Sequence, residues 1–175
     1  MICSIRPAAA QDVPALAALK LATFRETFLE GGFAIPYPPA DLAAFETASY
    51  APAAVAREIA DPGHATWVAE GADGLHGYAH VGPCKLPHPQ VVAGAGELYQ
   101  IYVRGTAQGT GLGRRLLDTA LDHLAATRPG PVWLGAWSGN LRAHAVYEAK
   151  GFRKVGEYRF PVGSWHDEEY IFRRD

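Results

Sequence analysis

The feature that most constrains this chain is a glycine-rich segment at residues 108–114, Gln-Gly-Thr-Gly-Leu-Gly-Arg. Aromatic and β-branched residues dominate positions 97–103 before it and predict a strand. Apolar residues that repeat every three to four positions from Leu112 to Leu124 predict a helix after it. Because the first amides of a helix lack partners within it, and glycine lets a ligand approach the backbone, this junction can bind an anion such as a diphosphate. A plain tight turn between strand and helix would show the same pattern.

Spacing excludes two well-known phosphate-binding loops. The dinucleotide fingerprint G-x-G-x-x-G would need its third glycine at position 114, which is Arg114. The nucleoside-triphosphate loop needs Gly-Lys followed by Ser or Thr, and no lysine occurs between Lys85 and Lys150. The segment therefore belongs to neither class.

The remaining pattern predicts one domain over residues 1–175, with a mixed, mostly antiparallel sheet and helices on both of its faces (α/β). Strands are predicted at residues 2–6, 66–69, 77–81, 97–103, 132–137, 152–160 and 167–173. Four helical regions are predicted. The first begins at a cap at Asp12, and the second covers residues 41–59 with a break near 50–52. The others cover 112–124 and 141–150, the last of them ending at Gly151. Glycine and proline mark two loops, 31–40 and 83–96.

Composition narrows the class of function. A net charge of −2 over 175 residues lacks the positive field of nucleic-acid binders. No run approaches the roughly 18 apolar residues of a membrane span, and residues 1–6 do not resemble a signal peptide. Cys3 and Cys84 are too few for a disulfide framework. We expect a soluble cytoplasmic protein with reduced thiols and no nucleic-acid or membrane partner; a homodimer is one candidate assembly.

A second motif lies just before Gly151-Phe152. Asn140, Ala143 and Tyr147 are spaced i, i+3 and i+7, which predicts one helix face with a groove between two polar residues. For Tyr147 the alternative is a buried aromatic ring with its hydroxyl bonded.

Together the two motifs resemble the Gcn5-related N-acetyltransferase (GNAT) family. Its acetyl-CoA motif, Gln/Arg-x-x-Gly-x-Gly/Ala, matches Gln108, Gly111 and Gly113. The resemblance implies a GNAT-like fold, acetyl-CoA as co-substrate, no metal, and acetyl transfer to a primary amine. The pantetheine arm would run in a gap between strand 97–103 and the strand at Trp133. The cofactor-binding residues so implied are Ile101, Tyr102, Val103, Gln108, Gly109, Thr110, Gly111, Leu112, Gly113, Arg114, Asn140, Ala143 and Tyr147.

The resemblance also assigns the steps of the reaction. Tyr147 would reach the thioester sulfur and protonate the leaving thiolate. Backbone N–H groups of residues 101–103 would stabilise the oxyanion, because that strand is distorted in the family. For the base we choose Glu97, which by the two-residue period shares a strand face with Tyr99 and Ile101 and would have its pKa raised by apolar neighbours. His80 and a water molecule are the other candidates.

The acceptor site in such folds is formed by the early helices, the loop at 31–40 and the late hairpin. The residues expected there are Glu26, Phe28, Tyr37, Tyr99 and Trp137. Segments 23–28 and 98–103 look like the bacterial spermine/spermidine branch, and the acidic residues Glu26, Glu30, Asp41, Glu46 and Glu97 could attract a cationic amine, although surface solvation explains most of them equally well. The alternatives are an antibiotic or protein N-terminus as acceptor, and an acyl-CoA-binding module without catalysis, against which Tyr147 argues.

Two other clusters carry less weight. His76, His80 and the segment 166–169 match no metal-ligand spacing. Cys84 beside Lys85 could suggest an acyl-cysteine, but direct transfer to an amine needs no enzyme nucleophile.

Overall fold

The computed structural model describes residues 3–29 and 31–175. It contains a seven-stranded sheet and five α-helices. The strands are β1 (Ser4–Pro7), β2 (Ala65–Gly71), β3 (Gly74–Pro83), β4 (Gly96–Val103), β5 (Val132–Trp137), β6 (Arg153–Val162) and β7 (Trp165–Arg174). The helices are α1 (Val13–Phe28), α2 (Pro39–Tyr50), α3 (Pro52–Ala60), α4 (Leu112–Thr127) and α5 (Leu141–Ala149). Ile2 of the first predicted strand and Glu30 lie outside the described residues.

The strand order is β1-β2-β3-β4-β5-β7-β6. Every neighbouring pair is antiparallel except β4 and β5, which run parallel. A parallel pair needs a crossover, and the glycine segment with α4 supplies it. The predicted mixed, mostly antiparallel sheet is confirmed.

Helices cover both faces, as expected. On one face α4 packs Leu116 and Leu117 against Leu98 and Leu134, and the same cluster includes Tyr147 of α5. We call this the α4 face. On the other face Leu16 of α1 packs with residues of α3, β2 and β3. We call this the α1 face.

Local details differ from the sequence-based expectations in two helices. Asp12 does not cap α1 through its side chain, because its carboxylate accepts from the Arg6 guanidinium (2.7 and 2.9 Å) and from the Ala9 amide (2.8 Å). The second helix begins at Pro39 rather than Asp41, since proline is tolerated in a first turn. The break after Tyr50 and the glycine at the end of α5, Gly151 with φ +85°, are confirmed.

Within residues 3–29 and 31–175, no helix combines the length and apolar character that crossing a bilayer requires. In the same part of the chain, no group of three or more His, Cys, Asp or Glu side chains is arranged to hold a metal ion.

Candidate active site

The central feature of the site is a gap in the sheet. Strands β4 and β5 pair only over Gly96–Leu98 and Val132–Leu134, and then separate. The later residues of β4 therefore have no partner strand on the β5 side. The gap opens into a cleft of about 1520 Å³ that extends to the glycine segment, α1, α5 and the β6–β7 hairpin. A sheet that opens between two parallel strands can admit an extended chain that bonds to the exposed backbone edge.

A bulge in β4 lies at the start of the gap. Along β3, His80 pairs with Gln100 and the next residue, Val81, pairs with Leu98, so Tyr99 is the extra residue. The strand is distorted, but at Tyr99 rather than at residues 101–103, and the bulge changes the phase of the side chains. Ile101 packs in the same cluster as Leu98, so Glu97 and Ile101 lie on opposite faces. The prediction that they share a face was wrong because the two-residue period does not continue through a bulge.

The glycine segment presents free backbone at the start of α4. Gly109 (φ +77°) and Gly111 (φ +81°) both adopt left-handed conformations with open space around them. The helix's first bond runs from the Arg115 amide to the Gly111 carbonyl (3.2 Å). The amides of residues 112–114 therefore have no partner inside the helix and are available to an anion.

Two residues of the predicted cofactor set do not line the cleft with their side chains. Thr110 donates its hydroxyl to the Ala107 carbonyl (2.7 Å), and Leu112 is buried in the core of the α4 face. Ile101, Tyr102, Val103, Gln108, Gly109, Gly111, Gly113, Arg114, Asn140, Ala143 and Tyr147 all line it.

Gln108 links three parts of the cleft. Its amide nitrogen donates to the Val103 carbonyl at the end of β4 (3.3 Å), and its amide oxygen accepts from Arg142 of α5 (3.0 Å). The side chain thereby links the glycine segment to the end of β4 and to α5, the helix that follows β5.

The second motif has a different local geometry from the one expected. Asn140 precedes α5 as its N-cap, and its side-chain oxygen accepts from the Ala143 amide (3.1 Å). It is therefore not on the helix face that carries Ala143 and Tyr147. The Tyr147 ring packs against Phe152 and Phe172, and burial raises the pKa of its hydroxyl to about 12. At neutral pH this hydroxyl keeps its proton and can donate it into the cleft.

At the other end of the cleft, the predicted acceptor residues Glu26, Phe28, Tyr37, Tyr99 and Trp137 all line the wall. Glu26 is not free, because its carboxylate pairs with Arg104 (2.7 Å) and accepts from the Gly105 amide (3.0 Å). It links α1 to the residues that directly follow β4, so its charge is paired rather than free to attract a cation. Phe28, Tyr37 and Trp137 belong to an aromatic surface that also includes Phe24, Phe33, Phe45 and Phe160, whereas the Tyr99 ring packs against His64 and His80.

Besides Glu26, three further carboxylates line this acceptor end: Glu97, Asp167 and Glu169. Burial raises the pKa of Glu97 to about 7. The Lys85 amide, which donates a hydrogen bond to this carboxylate (2.7 Å), lowers the pKa but only in part offsets the burial. Burial also raises the pKa of Glu169 to about 7. Asp167 accepts from the Tyr37 hydroxyl (2.6 Å) and from the Trp165 indole (2.9 Å).

None of the three carboxylates forms an ion pair with a Lys, Arg or His side chain among residues 3–29 and 31–175. Sequence reasoning noticed Asp167 and Glu169 only as part of a polar run. Their alternation with Glu168 and Tyr170 along a strand could have placed them together on one face.

His80, the other candidate base, lies outside the cleft. Its ring is buried on the α1 face, 3.1 Å from the Nδ1 atom of His64 and 3.8 Å from the Glu58 carboxylate. Burial lowers the pKa of His80 to about 2. His80 is therefore not placed to take a proton from an amine in the cleft, which favours Glu97 among the candidates.

Comparison with known proteins decides the family. The sequence profile of the "Acetyltransferase (GNAT) domain" matches residues 33–166. This chain belongs to the GNAT acetyltransferase family. It is therefore an acyl-CoA N-acyltransferase, and the predicted fold class is confirmed.

Individual relatives agree with the family. The N-alpha-acetyltransferase RimI of Mycobacterium tuberculosis is 36% identical over 125 residues, 71% of this chain and 74% of that protein. An uncharacterized N-acetyltransferase of Lactobacillus delbrueckii is 24% identical over 164 residues, covering 94% and 92%. The crystal structure of PaiA N-acetyltransferase from Thermoplasma acidophilum with coenzyme A has the same fold, with a TM-score of 0.77, 17% identity and 99% coverage of both chains. The relatives of this GNAT protein do not point specifically to the spermine/spermidine branch.

Proposed function

We propose that this protein transfers an acetyl group from acetyl-CoA directly to a primary amine that binds as a cation, with a polyamine as the first candidate. The observation that supports it is the arrangement around the gap. Free helix amides and Tyr147 lie towards the α4 face, whereas the three carboxylates lie at the acceptor end. Donor and acceptor can then meet in the gap from opposite sides of the sheet.

The donor side fits acetyl-CoA. The amides of residues 112–114 and the left-handed glycines at 109 and 111 can receive the diphosphate, because no side chain blocks the backbone there. The free edge of β4 beyond Leu98 can bond the pantetheine amides. Gln108 and Asn140 line the same wall of the cleft. Gln108 bonds the end of β4, and Asn140 caps α5.

The chemistry follows from the groups around the gap. The bound ammonium first loses a proton to Glu97, directly or through water, and the neutral amine nitrogen then attacks the thioester carbonyl. The C–N bond forms in this step, and backbone N–H groups of residues 101–103 stabilise the oxyanion. As the intermediate collapses the C–S bond breaks, Tyr147 gives its proton to the departing thiolate, and the second proton that the nitrogen loses returns to Tyr147 through water.

The carboxylates argue for a cationic acceptor. Burying a charge without a partner is costly, and a buried acid either takes up a proton or waits for a counter-ion. Glu97, Asp167 and Glu169 lack an ion pair in the described residues, although most other acidic side chains have one. Lys85 also lines the cleft and its charge lowers the pKa of Glu97, but it forms no ion pair with any of the three carboxylates. An ammonium group in the acceptor end would supply that ion pair.

The α-amine of a protein N-terminus is the second candidate acceptor. It is favoured by the relative named N-alpha-acetyltransferase RimI, which covers about two thirds of the chain. Such an acceptor would also present an ammonium group, but it would extend out of the cleft as a peptide.

A panel of amines with acetyl-CoA, followed by free-thiol release, tests the proposed function. We expect spermidine to give the highest kcat/KM, above an alanine-terminated peptide and an aminoglycoside. Preference for the peptide would favour the second candidate. Thiol release that no amine raises above the rate without acceptor would contradict acetyl transfer to an amine.

Glu97→Gln tests the base. Since burial raises the pKa of Glu97 to about 7, the wild-type kcat, measured at saturating amine so that a bound cation already keeps the other carboxylates charged, should rise with pH through an acid limb near pH 7 as this carboxyl loses its proton. The amide cannot accept a proton, so the variant should lose about 100-fold in kcat and the acid limb should vanish. Glu157→Gln, an exposed residue on β6, is the matched control and should behave as the wild type. An acid limb that persists in Glu97→Gln would show that another group accepts the proton.

A further inference from the structure

Gly135 lies in the interior of β5, where glycine weakens a strand and needs a specific reason. A Cβ atom at this position would lie 2.6 Å from the Tyr158 hydroxyl and 2.9 Å from the Glu169 carboxylate. These distances are too short for real contacts. The space that a side chain at position 135 would fill is therefore occupied by a hydroxyl and a carboxylate from the neighbouring hairpin.

Those two groups are bonded to each other. Tyr158 and Glu169 are directly opposite partners on β6 and β7, and the Tyr158 hydroxyl donates to Glu169 at 2.6 Å. The hydroxyl fixes one oxygen of the carboxylate. The other oxygen of Glu169 has no hydrogen-bond partner among the described residues.

The pair lies where the sheet opens. Gly135 is the first β5 residue beyond the last pair with β4, Leu98 and Leu134. Ile171, two residues after Glu169, packs with Trp133, whereas Phe172 packs with the α4 face. By the strand period, Glu169 therefore points to the side of the sheet opposite Tyr147, which is the acceptor side.

We propose that Glu169 is the counter-ion that binds the acceptor's ammonium group before Glu97 takes its proton, and so determines specificity for cationic amines, with Tyr158 as its positioning residue. This inference rests on the proposed function. It gives Glu169 a different task from Glu97, whose carboxylate is held by the Lys85 amide at the paired end of β4. The absent side chain of Gly135 lets the carboxylate reach the opening.

Steady-state kinetics with spermidine separate the two roles. Glu169→Gln should raise KM about 10- to 100-fold, the range for losing a hydrogen bond to a charged group, while kcat changes by less than about 3-fold and the acid limb near pH 7 remains. Tyr158→Phe should raise KM less, because the carboxylate stays but is no longer held. Glu168→Gln is the matched control, since that side chain is exposed and pairs with Arg159 on the surface. It should match the wild type.

Binding without turnover keeps the test independent of the reaction. Calorimetric titration of spermidine, and of an alanine-terminated peptide, into protein saturated with CoA should show the same loss for Glu169→Gln. The proposal would be overturned if KM and Kd are unchanged in this variant, or if kcat falls at constant KM. It would also be overturned if neither probe binds to the wild type. If Glu169→Gln does not fold, Tyr158→Phe and Gly135→Ala replace it. Each should raise the KM and Kd of the amine without a matching loss of kcat. Absence of acetyl transfer with intact, Glu169-dependent binding would instead contradict the proposed function alone.

Discussion

Gly113→Asp is expected to remove acetyl-CoA binding while the protein stays folded. Gly113 lies in the first turn of α4, and a Cβ there would meet only the Val103 side chain, at an ordinary 3.6 Å. The added carboxylate would stand at the lining of the cleft, beside the free amides that we expect to bind the diphosphate. Repulsion and steric block should raise the Kd of acetyl-CoA at least about 100-fold, equivalent to about 2.7 kcal/mol.

Calorimetric titration measures this effect, and two variants of the same helix control for it. Ala125→Asp adds the same charge at the exposed far end of α4. Arg115→Ala removes a basic side chain that bonds the Cys3 carbonyl (3.1 Å) rather than the cleft. Both should bind nearly as the wild type. Gly111→Asp should also abolish binding, but its left-handed φ of +81° adds backbone strain, so it is the less clean test. Near-normal affinity in Gly113→Asp would contradict the proposed diphosphate site.

Tyr147→Phe is expected to lower kcat about 100-fold with little change in acetyl-CoA affinity. The ring packs on Phe152 and Phe172 and remains in the variant. Only the hydroxyl is lost, and with it the proton for the thiolate, within the range that general acid catalysis supplies.

Steady-state rates at saturating acetyl-CoA check this, with the chemical step shown to be rate-limiting by single-turnover measurement. Tyr170→Phe is the matched control, because Tyr170 packs in the same cluster but does not line the cleft. Equal kcat values for wild type and Tyr147→Phe would mean that water or another group protonates the thiolate.

Local sequence was sufficient for the features that depend on neighbouring residues. The aromatic and β-branched residues at 97–103, the apolar repeat of α4 and the glycines at 109, 111 and 151 each favour their own backbone conformation. The strand, helix and turn around the donor site could therefore be predicted. The same holds for the break between α2 and α3, which a proline enforces.

Features that depend on distant partners could not be predicted. The bulge at Tyr99 exists through the pairing of β4 with β3, and it moved Glu97 to the face opposite Ile101. Glu26 is neutralised by Arg104, far away in the chain. The placement of Glu169 depends on Tyr158 from one strand and on the missing side chain of Gly135 from another. No local pattern carries that combination.

Mass spectrometry of a complete reaction with acetyl-CoA and the preferred amine tests direct transfer most directly. We predict acetylated amine and free CoA in equal amounts, with the mass of the protein unchanged throughout. CoA released without acetylated amine, or an acetyl group that accumulates on the protein, as an acyl-cysteine at Cys84 would require, would contradict direct transfer in the gap between β4 and β5.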